Sequence, residues 1–253
     1  MQHRAAFYCF VLLFSMTVSH ALAGPPYAVS DPGTPKRHWI ELNIGFLSSQ
    51  ARGDEFQSLP NIDLNYGYLD NVQLTLGMTA ATARSGTSRR TFGFGDIWPE
   101  VKWRFQEETK SRPQFAIDYA IKIPTAGRAC GLGTGCVDQT FLFVWQKTLG
   151  RSAVFGNIGY SAPGDRGSRN NILWGLVLAT QMSERLNVGV EFYGNTSDAS
   201  GERSETAIGL GLTYAFAPNR ALLLKAGRSL QSFSDLNIYA GIRFDLGKRS
   251  ARH

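Results

Sequence analysis

Histidine is scarce in this chain, and the scarcity narrows the possible chemistry first. Four histidines occur in 253 residues, and two of them, His3 and His20, precede Gly24. Of the others, His253 is the last residue and His38 stands alone. A Ser-His pair would have to use His38, and no Gly-x-Ser-x-Gly elbow accompanies it. Gly93-Phe94-Gly95 lacks the third glycine and the following helix of a dinucleotide fingerprint. No His, Cys and carboxylate cluster has metal-ligand spacing, so neither metal nor cofactor is expected. The chain reads as a non-enzyme.

Cysteine is scarce too. Cys9 lies in an apolar run, and Cys130 and Cys136 sit close together in GRACGLGTGCVDQ. Asp138 alone does not complete a metal site, so a local disulfide stapling a Gly-rich loop is the expectation. Long apolar runs are missing beyond the N-terminus: FLFVW at 141–145 falls far short of the roughly 20 residues a membrane helix needs. The first 23 residues have a basic start at Met1–Arg4, an apolar stretch over 5–18 and a small-x-small end at Ala21–Ala23. That pattern predicts an export signal cleaved after Ala23. Tyr8 before Cys9 argues against a lipid anchor. The net charge is +6, yet no basic stripe exists that nucleic acid would want. Arg84, Arg89, Arg90, Arg166, Arg169 and Arg203 fall instead in polar links. They read as a solvated loop surface or, more sharply, as contacts to an anionic lipid or lipopolysaccharide headgroup.

What the chain does have is period-two alternation, which starts after GPPYAVSDPGTPKR and hardly stops. It predicts strands near 38–48, 58–68, 71–80, 95–105, 114–123, 139–148, 152–160, 172–182, 185–194, 205–216, 220–229 and 235–246. Each has the length to cross a bilayer obliquely. Links after even strands are short, such as APN at 217–219, while those after odd strands are long and polar, such as ATARSGTSRRTFGF at 81–94. An even strand number with sorted links is the outer-membrane barrel pattern, which a soluble sandwich does not share. The expected architecture is therefore all-β: an antiparallel up-and-down transmembrane barrel of about 12 strands over 38–247. A Pro-rich periplasmic segment (24–37) precedes it and a short tail (248–253) follows.

Aromatics fix which face is which. Even strands tend to finish with pairs spaced by two: Tyr66 and Tyr68, Trp103 and Phe105, Phe143 and Trp145, Tyr214 and Phe216, with Phe244 ending the last strand. Only the strand at 172–182 departs from this. Such pairs on one rim form a membrane-interface girdle, so their face meets lipid. The other face must line a lumen. It carries Glu41, Asp63, Asp96, Glu100, Lys102, Arg104, Asp118, Lys122, Glu191, Lys225, Arg243 and Asp245, seven acidic and five basic groups. This near-balance reads either as paired charges bracing a narrow interior or as a merely wet wall. Asp96, Glu100, Lys102 and Arg104 on one strand read as an ion-pair ladder. Leu142, Val144, Phe155, Leu173 and Val177 add an apolar lumen wall. It either packs against an inward-folded loop or the N-terminal tail, or offers small apolar molecules a path.

Several stretches resemble the outer-membrane channel family named for the MetA-pathway of phenol degradation. They include Asp31-Pro32, Asn65-Tyr66-Gly67, Asn71-Val72-Gln73-Leu74, Val101-Lys102-Trp103-Arg104-Phe105, Arg112-Pro113, Trp145-Gln146-Lys147 and Gly159-Tyr160. The densest part runs from Gly93-Phe94-Gly95-Asp96 to Pro124-Thr125-Ala126-Gly127. The resemblance implies an outer-membrane channel associated with small hydrophobic or aromatic solutes, and it supplies no catalytic residues. Pro99, inside the strand at 95–105, departs from the family pattern and predicts a bulge. The Cys130–Cys136 loop departs from it as well. Two alternatives stand beside the channel: a surface-interaction barrel with a filled lumen, and a lipid hydrolase using His38.

Overall fold

Alternation of apolar and polar residues becomes a ladder of antiparallel strands in the structure, a computed structural model. It describes residues 24–51, 54–126, 132–197, 204–231 and 235–247. The expected export signal, Cys130, Arg203, His253 and the tail at 248–253 lie outside the described residues. The strands are β1 (Ile40–Ala51), β2 (Asp54–Leu69), β3 (Val72–Arg84), β4 (Thr91–Phe94), β5 (Trp98–Gln106), β6 (Gln114–Lys122) and β7 (Asp138–Leu149). They continue as β8 (Ser152–Ala162), β9 (Asn171–Gln181), β10 (Leu186–Asn195), β11 (Glu205–Ala217), β12 (Arg220–Ser229) and β13 (Leu236–Leu246). Apart from β4 and β5, which do not pair with each other, each pairs with its sequence neighbours, and β1 also pairs with β13, which closes the ring. Both β4 and β5 pair with β3, along Ala80–Ala83 and Val72–Gly77, so they are two halves of one wall strand. The result is a closed twelve-stranded barrel.

Closure follows from what the outer face carries. Ile44, Leu74, Val101, Ile158, Leu176, Leu178, Val190, Ile208, Leu210 and Ile242 all point out and stay exposed, whereas their strand neighbours are buried inside. An apolar belt running round the whole molecule has no place in water. In lipid, an open edge would leave amides unpaired, which a ring avoids.

The wall strand split into β4 and β5 breaks at residues 95–97 and not at Pro99. Pro99 pairs in register with Leu76, while the β6 ladder begins at Glu100. Its missing N–H faces β6, as the mutual bonds of Ile97 with Ile123 show, and it leaves a gap in that ladder between Ile97 and Glu100 without a register shift, so no bulge forms there. The register shift involving a proline occurs in β2, between Ser58 and Asn61, around Pro60. The expected long link at 81–94 is also shorter, because β3 and β4 extend as a hairpin and leave only 85–90 between them. Ion pairs hold that extension: Glu55 on β2 engages Arg84 and Arg90, and Arg90 also donates to Gln57 at 3.0 Å. Two arginines expected to meet solvent or lipid phosphate thus have a carboxylate partner within the chain.

The Pro-rich segment before β1 runs up inside the barrel. Val29 is 1% exposed and Ser30 is fully buried. Its polar backbone finds partners on the inner wall, and Pro25, Pro26 and Pro32 remove donors that would otherwise need them.

Candidate functional site in the barrel lumen

From β1 the N-terminal segment traces a path across the inner wall. Thr34 Oγ1 accepts from Arg104 at 2.7 Å, and the Asp31 carbonyl accepts from Lys102 Nζ at 2.7 Å, both on β5. The Ser30 hydroxyl then donates to Asp118 on β6 at 2.6 Å, and the Ser30 N–H donates to the Asn157 side-chain oxygen on β8 at 3.1 Å. The Ala28 N–H donates to Glu191 on β10 at 2.7 Å, and Arg243 on β13 donates to the Pro25 carbonyl at 3.0 Å. Five wall strands thus hold one strip of chain.

Apolar contacts reinforce the polar ones. Val29 packs with Phe155, Val177 and Ala179, and Tyr27 meets Phe155 edge-on with ring centroids 5.7 Å apart. The approach is close enough to require glycine on the wall. A Cβ on Gly175 would collide with the Val29 side chain, and one on Gly211 with the Tyr27 ring. Of the predicted apolar wall, Phe155 and Val177 are therefore covered by the segment. Leu142 and Val144 pack instead with Ala116, Ala120 and Leu173.

The twelve predicted charged positions sort into pairs and exceptions. Lys102 lies 3.7 Å from Asp118, Lys225 2.6 Å from Glu191, and Arg243 3.5 Å from Glu41. Lys122 lies 3.6 Å from Asp96 and also engages Asp138, which was not among the predicted groups. Arg104 turns toward the short-turn rim, bound to Glu107 at 2.8 Å and to the Asp70 carbonyl at 2.7 Å. Asp63, Glu100 and Asp245 have no ion pair among the described residues. Asp63 does accept from Asn43 and Asn65, at 3.2 and 3.0 Å. The ladder expected within β5 does not form. Neighbours two apart on a strand sit roughly 7 Å from each other, so Lys102 reaches across to Asp118 on β6 and Arg104 to Glu107 just beyond its own strand.

Opposite the covered apolar wall, a polar cavity of about 260 Å³ remains between the segment and the wall of β1, β2, β3 and β5. Its lining includes Asp31, Glu41, Asp63, Glu100, Lys102 and Arg243, with Asn65, Gln73 and Thr75 among them. Gln73 and Thr75 both donate to the Asn65 carbonyl oxygen, at 2.8 and 2.7 Å. These uncharged residues were missed because only ionised groups were followed along the inward parity. Applying that parity to Asn and Gln would have found them.

At the mouth with the longer links, Leu132 from the β6–β7 connection packs on Ala81 and Ala126, and the Ala126 N–H donates to Asp96 at 2.9 Å. Cys136 lies in the same connection, but its expected partner is outside the described residues. On the outer face, Trp103, Phe105 and Phe143 join Phe115, which had not been singled out, in a chain of rings 5.3–6.4 Å apart. Tyr66, Tyr68, Tyr214 and Phe216 also point out near that rim, as does Phe244, while Trp145 lies on the outer side near Gly156. A second outward set, Phe92, Phe94, Phe141 and Tyr160, rings the opposite end. His38, at the short-turn rim, is exposed and shares a 2.9 Å hydrogen bond with the Tyr66 hydroxyl.

The family described as "Putative MetA-pathway of phenol degradation" matches residues 49–235, nearly three quarters of the chain. The chain belongs to that family. Within this phenol-degradation family, the matched span runs from the end of β1 through β12 and leaves the lumen segment outside it. Among solved structures, an outer-membrane channel from Pseudomonas putida F1 is similar with a TM-score of 0.69. The two share 14% identity over 89% of this chain and 100% of that one. The NanC porin is similar with a TM-score of 0.58 at 9% identity, covering 81% of this chain and 100% of that one. The KdgM porin, solved with disordered oligogalacturonate, has a TM-score of 0.54 at 7% identity, covering 81% and 99%. No curated protein matches. These likenesses are of fold, that of an outer-membrane β-barrel.

Proposed function

We propose that this chain is a passive outer-membrane channel for small hydrophobic or aromatic solutes, with its own N-terminal segment as the constriction. The observation that carries this is the patch of Phe155, Val177 and Ala179, an apolar surface inside the barrel covered by Tyr27 and Val29. An apolar wall with few polar groups suits such solutes, and its cover is a strip of chain separable from the wall. The rings at both rims act as interface girdles, and the outward apolar belt contacts lipid. No step of this function calls for a catalytic group or a cofactor.

Swelling of reconstituted vesicles tests the reading. Benzyl alcohol and glycerol should be compared for the intact protein, for a deletion of Gly24–Lys36, and for Val177→Asp. The deletion is expected to speed entry of both solutes. Val177→Asp is expected to slow benzyl alcohol selectively. Equal entry of benzyl alcohol in a folded Val177→Asp protein would sink the hydrophobic assignment. The second reading, a filled barrel that transports nothing, draws on the hydrogen bonds that tie the segment to five strands. It requires that neither solute enter through the intact protein.

A further inference from the structure

The polar cavity beside the segment has a feature that neither bracing nor wetting of the wall explains. Glu100 is only 8% exposed, lines the cavity, accepts no hydrogen bond and has no ion pair among the described residues. Burying a carboxylate without partners is costly, and wall residues around it offer donors only to each other. The surroundings deepen the imbalance. Lys102 is a single ammonium facing Asp118, Asp31, Glu100 and Asp63 together, and one of its hydrogens goes to the Asp31 carbonyl. Arg243 is shared between Glu41, Asn43 and the Pro25 carbonyl. The cavity therefore has four carboxyl groups, Asp31, Glu41, Asp63 and Glu100, against the two cations Lys102 and Arg243, and the Glu100 carboxyl on its wall is unclaimed.

We propose that this cavity binds a small organic monocation, of the alkylammonium class, with Glu100 as its principal counter-charge and Asp63 as the second. The proposal rests on the channel reading and names a solute class for the charged half of the lumen, separate from the apolar half. Size and donor set select the class. No group of three His, Cys, Asp or Glu among the described residues is placed to hold a metal ion. A volume near 260 Å³ lies just below that of pockets for drug-sized ligands, which begin at about 300 Å³, and so suits a smaller molecule. An ammonium head supplies two or three donors to the Glu100 and Asp63 oxygens, and Thr75 and Asn65 stand beside them. Anions meet the unpaired carboxylates and are repelled.

The test is titration calorimetry of ethylammonium chloride into the whole protein in detergent, for the native chain, Glu100→Gln and Asp63→Asn. Each variant is first shown to be folded by its heat-dependent gel mobility. Losing a charged hydrogen bond predicts binding about tenfold weaker or worse for Glu100→Gln, with a smaller loss for Asp63→Asn. Reversal potentials across planar bilayers under an ethylammonium chloride gradient give the second readout. Native protein should favour the cation, and Glu100→Gln should reduce that preference. Native protein that fails to bind ethylammonium, or a folded Glu100→Gln that binds it equally, overturns the proposal. Conductance without cation preference also overturns it while leaving the channel standing. Binding lost in Glu100→Gln with no conductance at all supports the site and removes the channel.

Discussion

Single ion pairs carry much of the interior, because the wall is narrow enough to take charges out of bulk water. Glu191 is fully buried and depends on Lys225 at 2.6 Å and on the Ala28 N–H. Removing one partner strands the other charge, a loss of about 3–5 kcal/mol. Lys225→Ala should therefore lower the urea midpoint far more than Lys225→Met paired with Glu191→Leu, and equal midpoints would contradict this account. Outside the membrane, Glu108 gives a pH-dependent case. Burial by itself raises this carboxyl, but hydrogen bonds from the Thr148 N–H and hydroxyl and from Lys147 outweigh it and hold it below the ordinary glutamate value. A lowered folded value means its contribution is fully present above about pH 4.3 and fades as pH falls through the lower folded value. Acid should thus loosen the turn at 107–113 in the native protein. Glu108→Gln, which lacks the titration, should show a flatter stability profile below pH ~4.

Among the elements, the N-terminal segment is the one whose position is most finely balanced. Its charged hydrogen bonds contribute about 1.5–3 kcal/mol each, and burying Val29 adds a similar amount. Ordering the chain costs roughly 1–2 kcal/mol per residue, so one clash can tip the docked state. Gly175→Leu places atoms where Val29 sits. That variant should expose residues 24–36 to protease and raise conductance while the barrel keeps its heat-dependent mobility. Protease resistance equal to that of the native chain would mean the segment has other anchors of equal weight. The strands themselves were readable from alternation: twelve were expected, and their positions differ from the observed ones by a few residues. The break between β4 and β5 was not readable, because it depends on Gly95 bonding to Thr79 and Ile97 bridging to Ile123 across the wall. Pro99 does remove a ladder donor facing β6, but the strand passes the resulting gap between Ile97 and Glu100 in register, so the expected bulge does not form.

For the molecule as a whole, the decisive property is an outer surface that water does not tolerate and an inner one that lipid does not. Leu210, at mid-height on β11, is 59% exposed and faces outward. Leu210→Arg should destabilise the barrel in lipid vesicles by about 2–4 kcal/mol. Arginine at Phe94, at the rim near the longer links, should cost about 0–1 kcal/mol by the same depth dependence. Urea titration of the two variants in vesicles checks the difference, and equal costs would place the bilayer elsewhere along the barrel.

The sequence by itself determined the barrel and the two alternating faces of its strands. Both follow from a local rule, since side chains alternate along every strand whatever the strand packs against. Only the tertiary structure decided what fills the lumen, which carboxylates find a cation, and that Glu100 does not. Those outcomes depend on ring closure, which brings residues such as Ala28 and Glu191, 163 positions apart, within 2.7 Å. No periodicity in the chain encodes a contact over that separation.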